Sequence, residues 1–329
     1  MTGLKILGTG SYVPDFVVTN EDFAKLVDTS DEWITTRTGM KERHIAVHEP
    51  VWYMGAQAAK SALETAGITA DQVDMVIVTS ASADYDFPSV SNMVQNAVEA
   101  NNAFGIDINV ACSGIAYGLD MAWRYLMTGD VDTVLLVSAE RLSQVTDYTD
   151  RATCVLFGDG AGASVVTRAD NKAFASFLGS DSRGAQHMYC VPPQKPVPFE
   201  TGSFENAMFE TNENGFAYMN GREVYKFATR AMPMAVEKAC KKLGITPPDL
   251  KWIIPHQANL RIIETAAKNL GLAMEKMIVN IEKYGNTSSA SMAICLDELF
   301  RSGKLAAGDK LCVVGFGAGL SFGASILEW

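Results

Sequence analysis

Three polar side chains stand in settings that could do chemistry. Cys112 lies in "NVACSGIAYGLDMAW", after a run that reads as a strand and before one that reads as a helix. A cysteine at a helix N-terminus feels the positive end of the helix dipole and free backbone N–H groups. Such placement favours thiolate and can lower a thiol pKa from ~8.5 into the range of about 3.5 to 7.5. The bland alternative is a small apolar core residue, the usual fate of a free cysteine. His256, in "IIPHQANLRI", ends an apolar stretch and opens a polar loop, which suits an acid/base or hydrogen-bond donor as well as a structural histidine. Asn286, in "YGNTSSAS", sits among small polar residues; it is either a turn former or a side-chain amide offered to a substrate. His44, His48 and His187 lack such a setting and read as structural or surface residues.

The elements that must position these groups alternate between strand and helix, which makes the class α/β. Strands are expected at 74–80, 133–140, 163–168, 252–256 and 310–316, and helices at 54–67, 115–129, 222–244 and 292–303. "AGITADQVDMVIVTS" (66–80) lies over "LGITPPDLKWIIPHQ" (243–257) at an offset of 177. A second echo, at an offset of 174, matches the helix after Cys112 with the helix after "GNTSSAS" and sets Cys112 opposite Asn286. Two matches in the same order predict a duplicated α/β unit. Its halves are expected at 1–175, carrying the cysteine, and 176–329, carrying the histidine and asparagine. Related halves packed about a pseudo-twofold axis would bring all three to one cleft.

Bulk properties exclude several function classes. The chain has 329 residues, 48% hydrophobic and 20% charged, enough for a sizeable core. Its N-terminus has no basic region followed by an apolar stretch, so no secretory signal is expected. The charge-free run at 311–327 is broken by four glycines and reads as two buried strands rather than a membrane span. The six cysteines form no CxxC pair and only four histidines are present, so no metal site is expected and the other thiols read as free and mostly buried, in a reducing cytoplasm. A net charge of −11 argues against nucleic acid. Between Arg222 and Lys268, however, nine basic residues face four acidic ones, a local excess of +5. That stretch is either a solvated helical face or a patch for an acidic partner. "GTGSYVP" and "GDGAGAS" lack the strand–turn–helix context of a dinucleotide site, which argues against a nicotinamide oxidoreductase.

Together the segments "GTGSYVP", "VDTSDEWITTRTGMKERHI", "DFPS", "ACSGIAYGL", "TDRATCVLFGDGAGA", "MNGREVYKFA", "IPHQANLRI" and "GNTSSAS" resemble β-ketoacyl-[acyl-carrier-protein] synthase III of the thiolase-like superfamily, nearly end to end. The resemblance implies a duplicated five-layer αβαβα fold and a catalytic triad of Cys112, His256 and Asn286. It implies transfer of a short acyl group from acyl-CoA to the cysteine, then decarboxylative condensation with malonyl-ACP (acyl carrier protein). Backbone N–H groups of Cys112 and Ala318 would form the oxyanion hole. Trp33 and Arg151 would flank the adenine of CoA, Arg37 would meet phosphate, and Gly221 and Asn259 would line the pantetheine tunnel. Lys226, Arg261 and Lys268 would dock the acidic carrier protein. A homodimer is implied, with Phe87 reaching the partner's acyl pocket. CoA is a substrate here, and no cofactor is needed. A relative with an unusual primer or a CoA-bound acceptor in a secondary pathway is the alternative. The sequence departs from the family at Ala318 and Leu320, at Asn269, and over 181–218, a stretch that normally shapes the acyl pocket, so the primer length stays open.

Overall fold

The computed structural model describes residues 2–193 and 215–329. Most of the 181–218 stretch therefore lies outside the described residues.

The first half runs through β1 (Thr2–Tyr12), then an antiparallel pair β2 (Val17–Thr19) and β3 (Glu42–His44) with α1 (Asn20–Phe23) and α2 (Asp31–Thr38) between them. It continues with α3 (Val51–Ala66), β4 (Met75–Thr79), α4 (Val90–Val98), β5 (Phe104–Ile108), α5 (Gly114–Thr128), β6 (Thr133–Arg141) and β7 (Asp159–Asp170). The second half follows with β8 (Phe174–Ser180), the short pair β9 (Met188–Cys190) and β10 (Ala217–Met219), and the long helix α6 (Gly221–Leu243). Then come β11 (Trp252–Pro255), α7 (Leu260–Asn269), α8 (Ile281–Tyr284), α9 (Ala290–Arg301), β12 (Lys310–Gly317) and β13 (Ser321–Glu328). All nine strand and helix expectations fall on these elements.

The duplication is written in the sheets. The first sheet has the order β1-β7-β6-β4-β5 and the second the order β8-β13-β12-β11. The first three junctions of each are antiparallel, antiparallel and parallel in turn. In the parallel junction Met75 pairs with Val134 and Trp252 with Leu311, so both partners move by the offset of 177 seen in the sequence. A single parallel bridge, Ile253 to Met277, stands where β5 pairs with β4. The glycines ending the repeated helices, Gly67 (φ 68°) and Gly244 (φ 69°), stop them in the left-handed conformation.

Both sheets are buried on both faces, so their strands read as apolar runs whose alternate residues enter different cores. Val76 and Val78 pack outward under α3 and α4, whereas Met75 and Ile77 face α5 and α9. Likewise Cys312 and Val314 face α6 and α7, and Leu311 and Val313 face the centre. Three cores thus separate five layers, the αβαβα order that the resemblance implies. Gly8 and Gly10 of "GTGSYVP" lie within β1, and Gly160 and Gly162 of "GDGAGAS" lie within β7. Helices press on them: a Cβ at Gly10 would stand 2.3 Å from the Ala58 carbonyl oxygen of α3, and one at Gly162 would stand 2.5 Å from Ala293 of α9. The charge-free run at 311–327 forms β12 and β13. Among the described residues no helix is long and apolar enough to cross a membrane.

Candidate active site

Cys112 sits in the turn that opens α5, behind Ala111 at φ 47°, and is buried. Across the pseudo-twofold, Asn286 precedes α9 and His256 follows β11. All three line one cavity of about 370 Å³, together with Trp33, Arg37, Gly221, Asn259, Arg261, Phe316 and Gly317. The cleft anticipated from the duplication exists.

Each polar group is held at one end and open at the other. Asn286 is tied into the first half by Asn286 N donating to the Leu156 carbonyl at 2.9 Å and Gly158 N donating to the Asn286 carbonyl at 3.0 Å. Its side-chain Oδ1 accepts from Ser288 N at 2.9 Å, which leaves the Nδ2 end for a substrate oxygen. His256 Nδ1 lies 2.9 Å from Ser291 Oγ, and the ring stacks edge-on to Phe316 at 5.4 Å. With the Ser291 hydroxyl donating to Nδ1, the ring proton resides on Nε2. Burial holds the His256 pKa down at about 3, against a mild opposing pull from the Ser288 carbonyl, so the imidazole is neutral.

The thiol differs from expectation. The dipole argument predicts a lowered pKa, but burial pushes the Cys112 thiol up to about 12. A nearby Ser288 hydroxyl opposes this and the Glu140 carboxylate adds to it. Held up in this way, Cys112 is a neutral thiol. Position in sequence shows a helix N-terminus; it does not show how deeply the thiol is buried.

The mouth is built by the α1–α2 arm. Phe23, Ile34 and Met40 of the arm pack on Cys154, Val155 and Ile281. Beneath them lies the buried Arg43, which donates to Asn20 Oδ1 and the Val155 carbonyl. Ser30 caps α2 by accepting from Trp33 N at 3.1 Å. Asn259 caps α7 by accepting from Arg261 N at 2.9 Å, while its Nδ2 donates to the Arg37 carbonyl at 3.1 Å. Trp33 and Arg151 do not flank a gap: the Arg151 guanidinium lies 4.5 Å from the Trp33 ring centroid. An aromatic base needs about 3.5 Å of contact on each face, so Arg151 must swing away to admit one. Gly221 starts α6 at the pocket wall, with nothing within 4 Å of a Cβ there.

Of the other expected residues, Ala318, Phe87, Lys226 and Lys268 lie apart from the cavity, whereas Arg261 lines it. Gly317, not Ala318, lines it; Ala318 faces the adjoining concavity with Val110, Ala111 and Met188. Phe87 is 85% exposed. Lys226 is paired with Glu223 at 2.6 Å, and Arg261 and Lys268 are exposed on α7 beside it. Sequence reasoning missed Tyr225, Met188, Met219 and Leu156 as lining residues, and Ser291 as the partner of His256. The serine had a signal in the polar "GNTSSAS" run, and Met219, Tyr225 and Leu156 lie in the quoted segments "MNGREVYKFA" and "TDRATCVLFGDGAGA"; Met188 had none.

Known proteins place this geometry in context. Residues 106–182 match the family 3-oxoacyl-[acyl-carrier-protein (ACP)] synthase III, and residues 240–329 match its C-terminal family. The β-ketoacyl-[acyl-carrier-protein] synthase III of Clostridium acetobutylicum is 44% identical over 100% of this chain and 99% of that protein. The crystal structure of the 3-oxoacyl-[acyl-carrier-protein] synthase III from Aquifex aeolicus is 41% identical, covers 99% of this chain and 100% of that one, and superposes with a TM-score of 0.91. That of the Thermus thermophilus synthase III is 42% identical over 98% of each chain, with a TM-score of 0.89.

Proposed function

The chain belongs to the 3-oxoacyl-[acyl-carrier-protein] synthase III family, and we propose from that premise that Cys112, His256 and Asn286 carry its chemistry. The enzyme is a condensing acyltransferase: it joins an acyl-CoA primer to malonyl-ACP and so initiates fatty-acid synthesis. One observation carries the residue assignment. A single cavity is lined at once by the thiol, by two open-ended neutral donors, and by an aromatic–cationic mouth.

In the first stage Cys112 sulfur attacks the acyl-CoA carbonyl and CoA departs. Exchange of one thioester for another is close to thermoneutral, so positioning and activation are what the protein must add. Backbone N–H groups of Cys112 and of the Gly317–Ala318 turn would receive the oxyanion; Ala318 does not have a positive φ, so its N–H can serve as a glycine's would. In the second stage malonyl-ACP loses CO₂, and the enolate oxygen accepts from His256 Nε2–H and Asn286 Nδ2–H. A neutral imidazole donates this bond without giving up its proton. One such donor is worth about 10²–10³ in rate. The carbanion attacks the acyl-cysteine, giving 3-oxoacyl-ACP and free Cys112. Neither stage transfers redox electrons, and CoA enters and leaves as substrate.

The mouth residues fit CoA: Trp33 and Arg151 for adenine, Arg37 for phosphate, Gly221 and Asn259 for the pantetheine arm. Lys226, Arg261 and Lys268 form a basic flank on α6 and α7 for an acidic carrier protein. The exposure of Phe87 and the open edge of β5 support a homodimer. Six free cysteines support a cytoplasmic setting, and the two halves are taken to divide near residue 175.

Intact-mass trapping with acyl-CoAs from acetyl to decanoyl tests the assignment and reads the primer. Cys112 should gain the acyl mass. His256→Ala and Asn286→Ala should still acylate but not condense; normal condensation by either variant removes that residue from its role.

A further inference from the structure

Arg43, in β3, is the largest wholly buried side chain among the described residues. Burial lowers its pKa to about 10, so the guanidinium is charged near neutral pH. Its Nη1 donates to Asn20 Oδ1 at 2.5 Å, and its Nη2 donates to the Val155 carbonyl and lies 3.7 Å from Met40 Sδ. Its Nε has no partner among the described residues, and no carboxylate touches the group. Burying a cation without an ionised partner costs stability, and leaving an N–H unpaired adds to that cost. An apolar side chain would serve the core better, so holding the fold together does not account for an arginine here.

The two oxygen acceptors lead to opposite ends of the site. On one side Asn20 passes the contact on: its Nδ2 donates to Asp31 Oδ1 at 2.7 Å and to the Met40 carbonyl at 2.9 Å. Asp31 opens α2, the helix that carries Trp33 and Arg37, and Met40 lies just past its end. The guanidinium thus meets a carboxylate only through an intervening amide. On the other side Val155 precedes Leu156, whose carbonyl accepts from Asn286 N at 2.9 Å. The stem of Arg43 packs on that same turn. A Cβ at Gly285 would stand 2.9 Å from Arg43 Cγ, and one at Gly158 would stand 3.5 Å from Arg43 Cβ. Gly158 N in turn donates to the Asn286 carbonyl at 3.0 Å.

We propose that Arg43 is a positioning residue that holds the CoA-binding arm and the Asn286 turn in one register. A guanidinium presents its donors in a rigid planar fork, so fixing one acceptor fixes the other. The arm sets where acyl-CoA lies, and the turn sets where Asn286 Nδ2 meets the enolate oxygen. One buried cation therefore acts on both half-reactions without touching either substrate. This rests on the assignment of Trp33 and Arg37 to CoA and of Asn286 to the enolate.

Three quantities test it on the full-length enzyme: KM for acetyl-CoA in acylation, the condensation rate per acylated site at saturating malonyl-ACP, and the melting temperature. Intact mass supplies the acylated fraction. Arg43→Met should raise the KM several-fold and slow condensation per acylated site by about 10- to 10²-fold, as a misplacement of up to about 1 Å does. Asn20→Ala cuts only the arm side and should raise the KM alone. Adding Arg43→Met to Asn286→Ala should slow condensation no further, because the arginine acts through that residue. Arg43→Lys keeps the charge but not the fork, so it should recover at most one of the two losses. A core role alone would lower the melting temperature and the active fraction, and leave the KM and the rate per acylated site at wild-type values. That result for Arg43→Met overturns the positioning role, as does full recovery by Arg43→Lys or an additive loss in the double variant. Should Arg43→Met not fold, an unchanged KM in Asn20→Ala overturns it. If instead Trp33→Ala leaves the KM unchanged or Asn286→Ala condenses normally, it is the site assignment that fails.

Discussion

Gly317→Ala tests how β12 packs against the Cys112 turn. Gly317 ends β12 at φ −163°, ψ −172°, extended backbone that alanine adopts freely, so the substitution costs nothing in conformation. The new Cβ, however, would stand 2.5 Å from Cys112 N and 2.9 Å from Ala111 Cβ. Ordinary contact begins near 3.4 Å, so β12 and the Cys112 turn must part by about 0.9 Å. The turn cannot simply retreat, because Gly114 already abuts Thr79 on its far side. Overpacking of this kind costs about 1–3 kcal/mol. A misplacement approaching 1 Å in a reacting group costs about 10²-fold in rate. Urea unfolding reads the first number and the time course of acyl-enzyme mass the second. Gly221→Ala is the stability control, with nothing within 4 Å of its Cβ, and should unfold as the wild type. Gly317→Ala that acylates and unfolds like the wild type refutes the claim that β12 sets the position of Cys112.

Other outcomes follow from the same geometry. His256 is held near 3, below its ordinary value, so its contribution to stability is fully present above about pH 6.5 and is lost as pH falls toward 3, by up to about 1.4 kcal/mol per unit. Urea unfolding of wild type and His256→Gln between pH 7 and 4.5 checks this; identical slopes would show that the buried imidazole does not titrate as described. Trp33→Ala removes the face on which Arg151 lies and should raise KM for acyl-CoA several-fold, by about 0.5–1 kcal/mol or more, without slowing condensation by pre-acylated enzyme. Arg261→Glu with Lys268→Glu should weaken turnover with malonyl-ACP while sparing malonyl-CoA, and added salt should do the same to the wild type. Equal turnover of both malonyl donors by wild type would favour a CoA-bound acceptor.

The layers were legible because periodicity is local. Val76 and Val78 point to one core and Met75 and Ile77 to another, and the alternation needs no tertiary information. The shared cleft was legible for a different reason: the 174 offset sets Cys112 opposite Asn286, and a twofold arrangement turns sequence equivalence into spatial proximity. What stayed hidden depended on groups distant in sequence. The close approach of α3 to β1, which explains Gly10, is not written near Gly10. Nor is the burial that reverses the expected shift of the Cys112 thiol. The Trp33–Arg151 contact joins residues over a hundred positions apart, and sequence could name the pair but not its closure.

Duplication also accounts for the division of labour at the site. α5 and α9 are equivalent helices, packed together in the central core through Ile115 and Leu119 on one side and Met292 and Leu296 on the other. Cys112 opens the first, and Asn286 precedes the second by a few residues. The second copy contributes neutral donors to the shared cleft, Asn286 and the Ser291-held His256. On the proposed roles the first half forms the thioester and the second stabilises the enolate. Substitutions in the Asn286 turn should therefore separate the two half-reactions, while substitutions under Cys112 should abolish both.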